Sequence, residues 1–146
     1  MKIALATDHD GLALKERVKV FLSNHRVVDF GPTSTDPMDY PDTGFRAAGA
    51  VSRGDCARGI LICGSGIGMS IVANKVRGIR AALCTTVQAV QLSRKHNNAN
   101  ILVLSGKFIT PELAGNIIYV WLTNEFSRGR HEPRIKKISN YENRSK

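Results

Sequence analysis

The chain has 146 residues, 42% of them hydrophobic and 23% charged, with a formal net charge of +9. These values are ordinary for a soluble globular protein and allow one domain, 1–146, with a buried core. No apolar run approaches the roughly 20 residues of a membrane span, and the N-terminus lacks a cleavable signal pattern. The three cysteines form no C-x-x-C pair, which argues against a disulfide framework or zinc site and fits a reducing cytoplasm.

Most of the excess positive charge lies near the C-terminus. Seven basic and only two acidic residues follow residue 127, whereas the rest of the chain is nearly balanced. No basic strand interleaved with aromatic residues and no recognition-helix pattern accompanies this tail, so nucleic acid is not an expected partner. A phosphorylated small molecule explains a local basic cluster equally well.

Hydrophobic spacing predicts strands and helices in strict alternation. In chain order, the predicted elements are a strand over 2–7, a helix over 12–22, a strand over 27–30, a helix over 45–53, a strand over 59–63, a helix over 69–74, a strand over 78–84, a helix from the Thr85-Thr86 cap through 94, a strand over 101–104 and a helix over 110–126. Residues 31–43 are rich in Pro, Thr, Ser and Asp and are expected to form a long surface loop.

This alternation predicts a three-layer α/β/α sandwich with a Rossmann-like, five-stranded parallel sheet. Ligands of such sheets bind at the carboxyl ends of the strands. Asp8 and His9 end the first strand, Cys63 ends the third, and Lys107 follows the fifth. We therefore expect the site at this edge.

A glycine-rich loop follows the third strand directly. Gly64, Gly66 and Gly68 allow successive backbone N–H groups to point at one spot, and the next helix adds the positive end of its dipole. The loop is a candidate anion cradle, with Cys63 beside it as a candidate acid/base group. A buried cysteine is more often a small hydrophobe, and a lone G-x-G-x-G is a weak motif, so other stretches must decide.

Seven motifs, taken together, resemble the ribose 5-phosphate isomerase B family, which includes galactose 6-phosphate and allose 6-phosphate isomerases. The resemblance covers residues 2–138. The motifs are Asp8-His9-Asp10-Gly11, Asp39-Tyr40-Pro41-Asp42, Ile62-Cys63-Gly64-Ser65-Gly66-Ile67-Gly68-Met69-Ser70, Asn74-Lys75, Gly78-Ile79-Arg80, Ser93-Arg94-Lys95-His96-Asn97 and Gly129-Arg130-His131-Glu132-Pro133-Arg134.

The resemblance implies a cofactor-independent and metal-independent aldose-ketose isomerase with Cys63 as the catalytic base. One branch of the family has a glutamate at the position of Met69, so this chain is expected in the cysteine branch. Ser65 is expected to hydrogen-bond substrate or Cys63, although it could equally stabilise the turn. The implied anion hole comprises Gly64, Ser65, Gly66, Ile67, Gly68, Met69 and Ser70.

Other matched positions receive roles by the same resemblance. His96 is implied to open the sugar ring, with Asn97 as a ligand contact beside it. Asp8 is implied to bind sugar hydroxyls or orient a neighbour, and Tyr40 to line the site from the long loop. A homodimer or dimer of dimers is implied, with His96 and Asn97 completing the partner's site.

The phosphate is expected at Arg130 and Arg134, which share one face if the tail is helical. By the resemblance, His9 is a further phosphate contact. Lys107 stands where some members have an arginine that reaches a neighbouring subunit's phosphate; it keeps the charge but not the forked geometry. Three other tail residues are expected to be solvated surface residues: Arg128, Arg144 and Lys146.

The sequence thus predicts interconversion of ribose 5-phosphate and ribulose 5-phosphate. A six-carbon sugar 6-phosphate isomerase is the close alternative, because the loop and the tail set a pocket depth that motifs do not reveal. A non-catalytic phosphate or nucleotide-binding module is a third possibility, but it would not need Cys63, His96 and both tail arginines together.

Overall fold

A computed structural model describes residues 1–144, so Lys146 lies outside the described part of the chain. Five parallel strands form one sheet in the order β2-β1-β3-β5-β4. The strands are β1 (Lys2–Thr7), β2 (Arg26–Asp29), β3 (Arg58–Cys63), β4 (Ala81–Leu83) and β5 (Ile101–Ser105).

Within residues 1–144, six α-helices and two short 3-10 helices connect the strands or follow the last one. The α-helices are α1 (Leu12–Phe21), α2 (Tyr40–Ser52), α3 (Ile67–Asn74), α4 (Val87–Lys95), α5 (Pro111–Thr123) and α6 (Glu132–Arg144); the 3-10 helices cover His9–Gly11 and Gly129–His131. None of the helices within residues 1–144 has the length and apolar composition needed to cross a membrane.

The helices bury both faces of the sheet. Helices α1, α4 and α5 pack on one face, around Trp121, and α2 and α3 pack on the other, around Met69. Alternate residues of β3 pack in the two cores: Ile60 and Ile62 lie in the core with Trp121, whereas Leu61 and Cys63 lie in the core with Met69. The prediction of a three-layer sandwich with a five-stranded parallel sheet is confirmed.

Three element bounds differ from the prediction by three residues or more. Helix α2 begins at Tyr40, because Pro41 can occupy the first turn of a helix, where no N–H partner is required. Strand β4 begins at Ala81 instead of residue 78, because Arg80 N–H bonds the Asn100 side chain outside the ladder. Helix α5 ends at Thr123 instead of residue 126.

The C-terminal helix α6 lies apart from both cores. It contains no buried residue, and its Ile138 and Tyr141 side chains are exposed. Between α6 and the β4 edge lies a cavity of about 890 Å³, lined in part by Ile79, Ala82 and Ile135. An amphipathic helix with no core contact is typical of a surface that packs on another molecule.

Candidate active site

Cys63 ends β3 in the centre of the sheet. Its side chain is only 4% exposed, and its Sγ accepts a hydrogen bond from the Gly66 N–H at 3.1 Å. Gly66 has φ +81°, in the left-handed region, and Ile67 starts α3 immediately afterwards. The thiol therefore lies at a helix N-terminus with a backbone donor on its sulfur, directly beside the glycine loop.

Contacts from the neighbouring strand fix the base of the glycine loop. The Gly64 carbonyl accepts hydrogen bonds from the Ser105 hydroxyl at 2.7 Å and the Lys107 N–H at 3.0 Å. Gly106 N–H donates to the Cys63 carbonyl at 2.9 Å. The loop and the thiol are thus held by β5 before any ligand binds, which is what an anion-stabilising loop requires.

Ser65 and Met69 contribute to the glycine loop in different ways. The Ser65 hydroxyl oxygen accepts a hydrogen bond from the Ile67 N–H at 3.2 Å, so it stabilises the turn, while its own proton remains available for a substrate. The Met69 side chain is fully buried in the core. Met69 can therefore face a ligand only through its backbone, whereas the half-buried Ser70 lies one residue further along the helix.

Tyr40 covers the glycine loop from α2. A Cβ atom added to Gly68 would lie 2.6 Å from the Tyr40 Cζ, so the ring rests directly against this glycine. The expectation that Tyr40 belongs to the long loop is wrong, because it is the first residue of a helix. Its proximity to the loop agrees with a site-lining position.

Asp8 and His9 lie in the turn after β1. The buried Asp8 accepts a hydrogen bond from the Gly11 N–H at 3.0 Å and so shapes this turn. The Met38 N–H donates to His9 Nδ1 at 3.3 Å. The neutral His9 ring consequently carries its proton on Nε2, which is free to donate to an anion.

Lys107 and Asp10 form an ion pair at the same edge. The Lys107 Nζ lies 2.8 Å from Asp10 Oδ2. A hydrogen bond from Lys107 lowers the pKa of the Asp10 carboxyl, and the same bond raises the pKa of Lys107. Sequence reasoning placed Lys107 among the substrate contacts without deciding whether it binds phosphate, and it gave no role to Asp10, whose signal was a second carboxylate in the turn after β1.

His96 and the tail arginines form a second cluster elsewhere. The His96 ring stacks on His131, with centroids 4.1 Å apart and planes inclined by 13°. Arg130 and Arg134 flank His131, on the short 3-10 helix and on α6 respectively. Burial lowers the pKa of His131, and the positive charges of His96, Arg130 and Arg134 lower it further.

Arg94 holds the turn that carries His96 and Asn97. Its Nη1 donates to the Asn98 side chain at 2.9 Å and to the Ala99 carbonyl at 2.6 Å. Burial lowers the pKa of Arg94 to about 10, as do the nearby charges of Arg58 and Arg80. The motif around His96 contained Arg94, but sequence reasoning did not assign it this structural role.

The two clusters lie at opposite ends of the strands: the Cys63 cluster at the carboxyl ends and the His96 cluster at the amino ends. Cys63 pairs with Ser105 at the carboxyl end of β5, whereas Asn97 lies in the turn that enters β5 at Ile101. A strand of this length separates its two ends by about 15 Å. Within one chain, therefore, His96, Asn97, Arg130 and Arg134 do not share a pocket with Cys63.

Comparisons with known proteins point to one family. The family model described as Ribose/Galactose Isomerase matches residues 3–138. A Clostridium thermocellum ribose-5-phosphate isomerase B structure superposes with a TM-score of 0.98 at 46% identity, with both chains fully covered. A Mycoplasma genitalium ribose-5-phosphate isomerase B with bound ribulose-5-phosphate has a TM-score of 0.92 at 40% identity, covering 99% of this chain and 97% of its own.

The sequence relatives include a further sugar-phosphate isomerase. The D-erythrulose-4-phosphate isomerase of Pectobacterium atrosepticum is 43% identical over 150 residues, which is all of this chain and 98% of the relative. The match of the family model over nearly the whole chain shows that this chain belongs to the ribose and galactose isomerase family and is an aldose-ketose isomerase.

Proposed function

We propose that this isomerase interconverts ribose 5-phosphate and ribulose 5-phosphate through a cis-enediolate, with Cys63 as the base. The observation that carries the proposal is the Cys63 sulfur, which accepts a backbone N–H at the start of α3 beside a glycine loop. Ribose-5-phosphate isomerases B with the same fold, one of them with bound ribulose-5-phosphate, support the pentose substrate.

The proposed proton transfer uses the thiolate and the loop together. Cys63 removes the proton from C2 of the open-chain aldose, and the electron pair moves to the carbonyl oxygen on C1, giving the enediolate. The thiol then returns the proton to C1, while the hydroxyl proton on O2 passes to O1. Backbone N–H groups of 64–70 stabilise the developing oxyanion, and removal of one well-aimed donor of this kind costs about 3 kcal/mol of barrier.

Ring opening and phosphate binding are assigned to groups from two copies of the chain. The His9 Nε2–H donates to the phosphate from the edge that carries Cys63. His96, Asn97, Arg130 and Arg134 come from the opposite edge of a second copy, because their own chain holds them a strand length away. This division supports a homodimer or dimer of dimers with shared sites. The free cysteines fit a reducing compartment, so we place the enzyme in the cytoplasm.

Apolar surface supports such an assembly. Ile67 and Ile71 are each more than half exposed on α3, next to the glycine loop. Exposed Ile138 and Tyr141 on α6 extend the apolar surface at the opposite edge. Clusters of exposed large apolar side chains are typical of protein interfaces.

The test is the rate of aldose-ketose interconversion by the wild type and by Cys63→Ala. Ribose 5-phosphate, allose 6-phosphate, galactose 6-phosphate and D-erythrulose 4-phosphate should be compared in parallel. We expect the pentose to be preferred and Cys63→Ala to lose about 100-fold or more in kcat, as for other positioned bases. Full activity of the alanine variant would place the base elsewhere.

A six-carbon sugar 6-phosphate is the second candidate substrate, since the matching family model includes galactose isomerases. Turnover of a hexose phosphate alone would leave the fold and the base unchanged and reassign the substrate.

Cys84→Ala is the matched control for Cys63→Ala, because Cys84 is equally buried but packs in the core on the other face of the sheet.

A further inference from the structure

The Asp10 carboxylate lies between the two ends of the proposed site. On one side, a Cβ atom added to Gly64, the residue after Cys63, would lie 2.8 Å from Asp10 Oδ2. On the other side, Asp10 Oδ1 lies 3.9 Å from Nε2 of His9, the proposed phosphate contact. A substrate that reaches from the thiol to His9 must therefore pass this carboxylate.

Lys107 fixes the orientation of Asp10. The pair joins the turn after β1 to the turn after β5 and thereby crosses the end of β3, which lies between these strands. The Lys107 backbone also donates to the Gly64 carbonyl at 3.0 Å, so the start of its side chain is anchored. The Asp10 side chain is 40% exposed, and its Oδ1 lies 3.9 Å from His9 Nε2, beyond hydrogen-bond distance.

A carboxylate held in this way suits hydroxyl groups better than phosphate. Ionised carboxylates accept strong hydrogen bonds from hydroxyls, whereas two anions brought together repel each other. The same carboxylate neutralises Lys107, which weakens the attraction of that ammonium for a phosphate dianion. In a sugar phosphate, hydroxyl groups occupy the carbons between the reacting pair and the phosphate.

We propose that Asp10 binds the hydroxyl groups in the middle of the sugar chain, and that Lys107 is a positioning residue for Asp10. Asp10 is then a specificity-determining residue that senses how many hydroxylated carbons separate the reacting carbons from the phosphate. This inference rests on the proposed function and replaces the expected contact between Lys107 and phosphate.

The test compares Asp10→Ala with Asp55→Ala as a control. Asp55 forms an exposed ion pair with Arg53 of similar length, 3.0 Å, and neither residue belongs to the proposed site. For each variant, kcat and KM are measured with ribose 5-phosphate, and competitive inhibition is measured with inorganic phosphate. We expect Asp10→Ala to lose about tenfold or more in kcat/KM, because a charged hydrogen bond to substrate is removed. The phosphate inhibition constant should not rise, because the substitution removes no phosphate donor, and Asp55→Ala should match the wild type in both.

Lys107 variants test the positioning role. Lys107→Met should raise KM for ribose 5-phosphate with little change in phosphate inhibition, and Lys107→Arg should restore most of the loss, because a guanidinium can also hold the carboxylate. Weaker phosphate inhibition in Lys107→Met, or tighter inhibition and higher kcat/KM in Asp10→Ala, would make Lys107 a phosphate ligand and overturn the inference. Wild-type kinetics in Asp10→Ala would also overturn the inference. A wild type without isomerase activity on any sugar phosphate would instead refute the proposed function.

Discussion

Gly68 lies so close to the Tyr40 ring that the smallest side chain would displace the ring. We expect Gly68→Ala to raise KM, since its Cβ would lie 2.6 Å from the Tyr40 Cζ, while stability changes little because alanine is favoured in a helix and the ring is 38% exposed. Steady-state kinetics and thermal unfolding measure the two effects. Adding Gly68→Ala to Tyr40→Ala should cost nothing further; a fully additive loss would show that the two positions act independently.

His131 gives a prediction about pH. Its pKa is lowered in the folded state, mainly by burial, so the unfolded chain binds a proton more readily than the folded chain. Stability should therefore decrease as the pH falls through about 6.5, the ordinary histidine value, towards the lower folded value. Between pH 7.5 and 5.5, the melting temperature of His131→Asn should fall less than that of the wild type. An equal fall in both proteins would assign the acid sensitivity to other groups.

At the scale of elements, a buried lysine joins α1 to β2 and to the segment that precedes α2. Lys15 is fully buried; its Nζ lies 3.0 Å from both carboxylate oxygens of Asp29 and also donates to the Pro32 carbonyl. Burial would raise the pKa of Asp29, but hydrogen bonds from Lys19, the Gly31 N–H and Lys15 lower it overall. This pair is thus expected to fix the segment that bonds His9 through Met38.

Removal of the carboxylate should destabilise the fold more than removal of the lysine. We expect Asp29→Asn to lower the free energy of unfolding by about 3 kcal/mol, because it leaves a buried ammonium without its nearest counter-charge and with only Glu16, at 4.0 Å, as a charged partner within residues 1–144. Lys15→Met should cost less, since an apolar side chain of similar length needs no partner. Urea unfolding at pH 7 measures both. A larger loss in Lys15→Met would mean that its bond to Pro32 matters more than the charge pair.

At the scale of the whole molecule, the separation of the two clusters predicts complementation between inactive variants. Cys63→Ala retains His96, and His96→Ala retains Cys63, so a mixed dimer contains one site with both groups intact. Random pairing gives half mixed dimers, each with one of two sites active, so co-refolded variants should recover roughly a quarter of the wild-type rate. A mixture as inactive as its components would show that both groups act in one chain.

Sequence patterns predicted the fold and the position of the cluster around Cys63. The parts that they missed were missed for physical reasons. Strand and helix periods are local, so the sheet and the placement of Cys63, Asp8 and His9 at one edge could be predicted. The Asp10–Lys107 pair joins residues 97 positions apart, which no local pattern reports. Pro41 was a usable signal for the start of α2, but the surrounding polar residues favoured a loop.

Because each chain presents the Cys63 thiol at the carboxyl ends of the strands and the His96 imidazole at their amino ends, the proposed enzyme is complete only where two chains meet. Dilution below the dissociation constant of that assembly would then separate the halves of every active centre at once. Specific activity, which is constant for an enzyme with a self-contained pocket, would fall with decreasing protein concentration. Saturating sugar phosphate, which contacts both chains in the proposed site, would shift this fall to lower concentrations, so substrate binding would also stabilise the assembly.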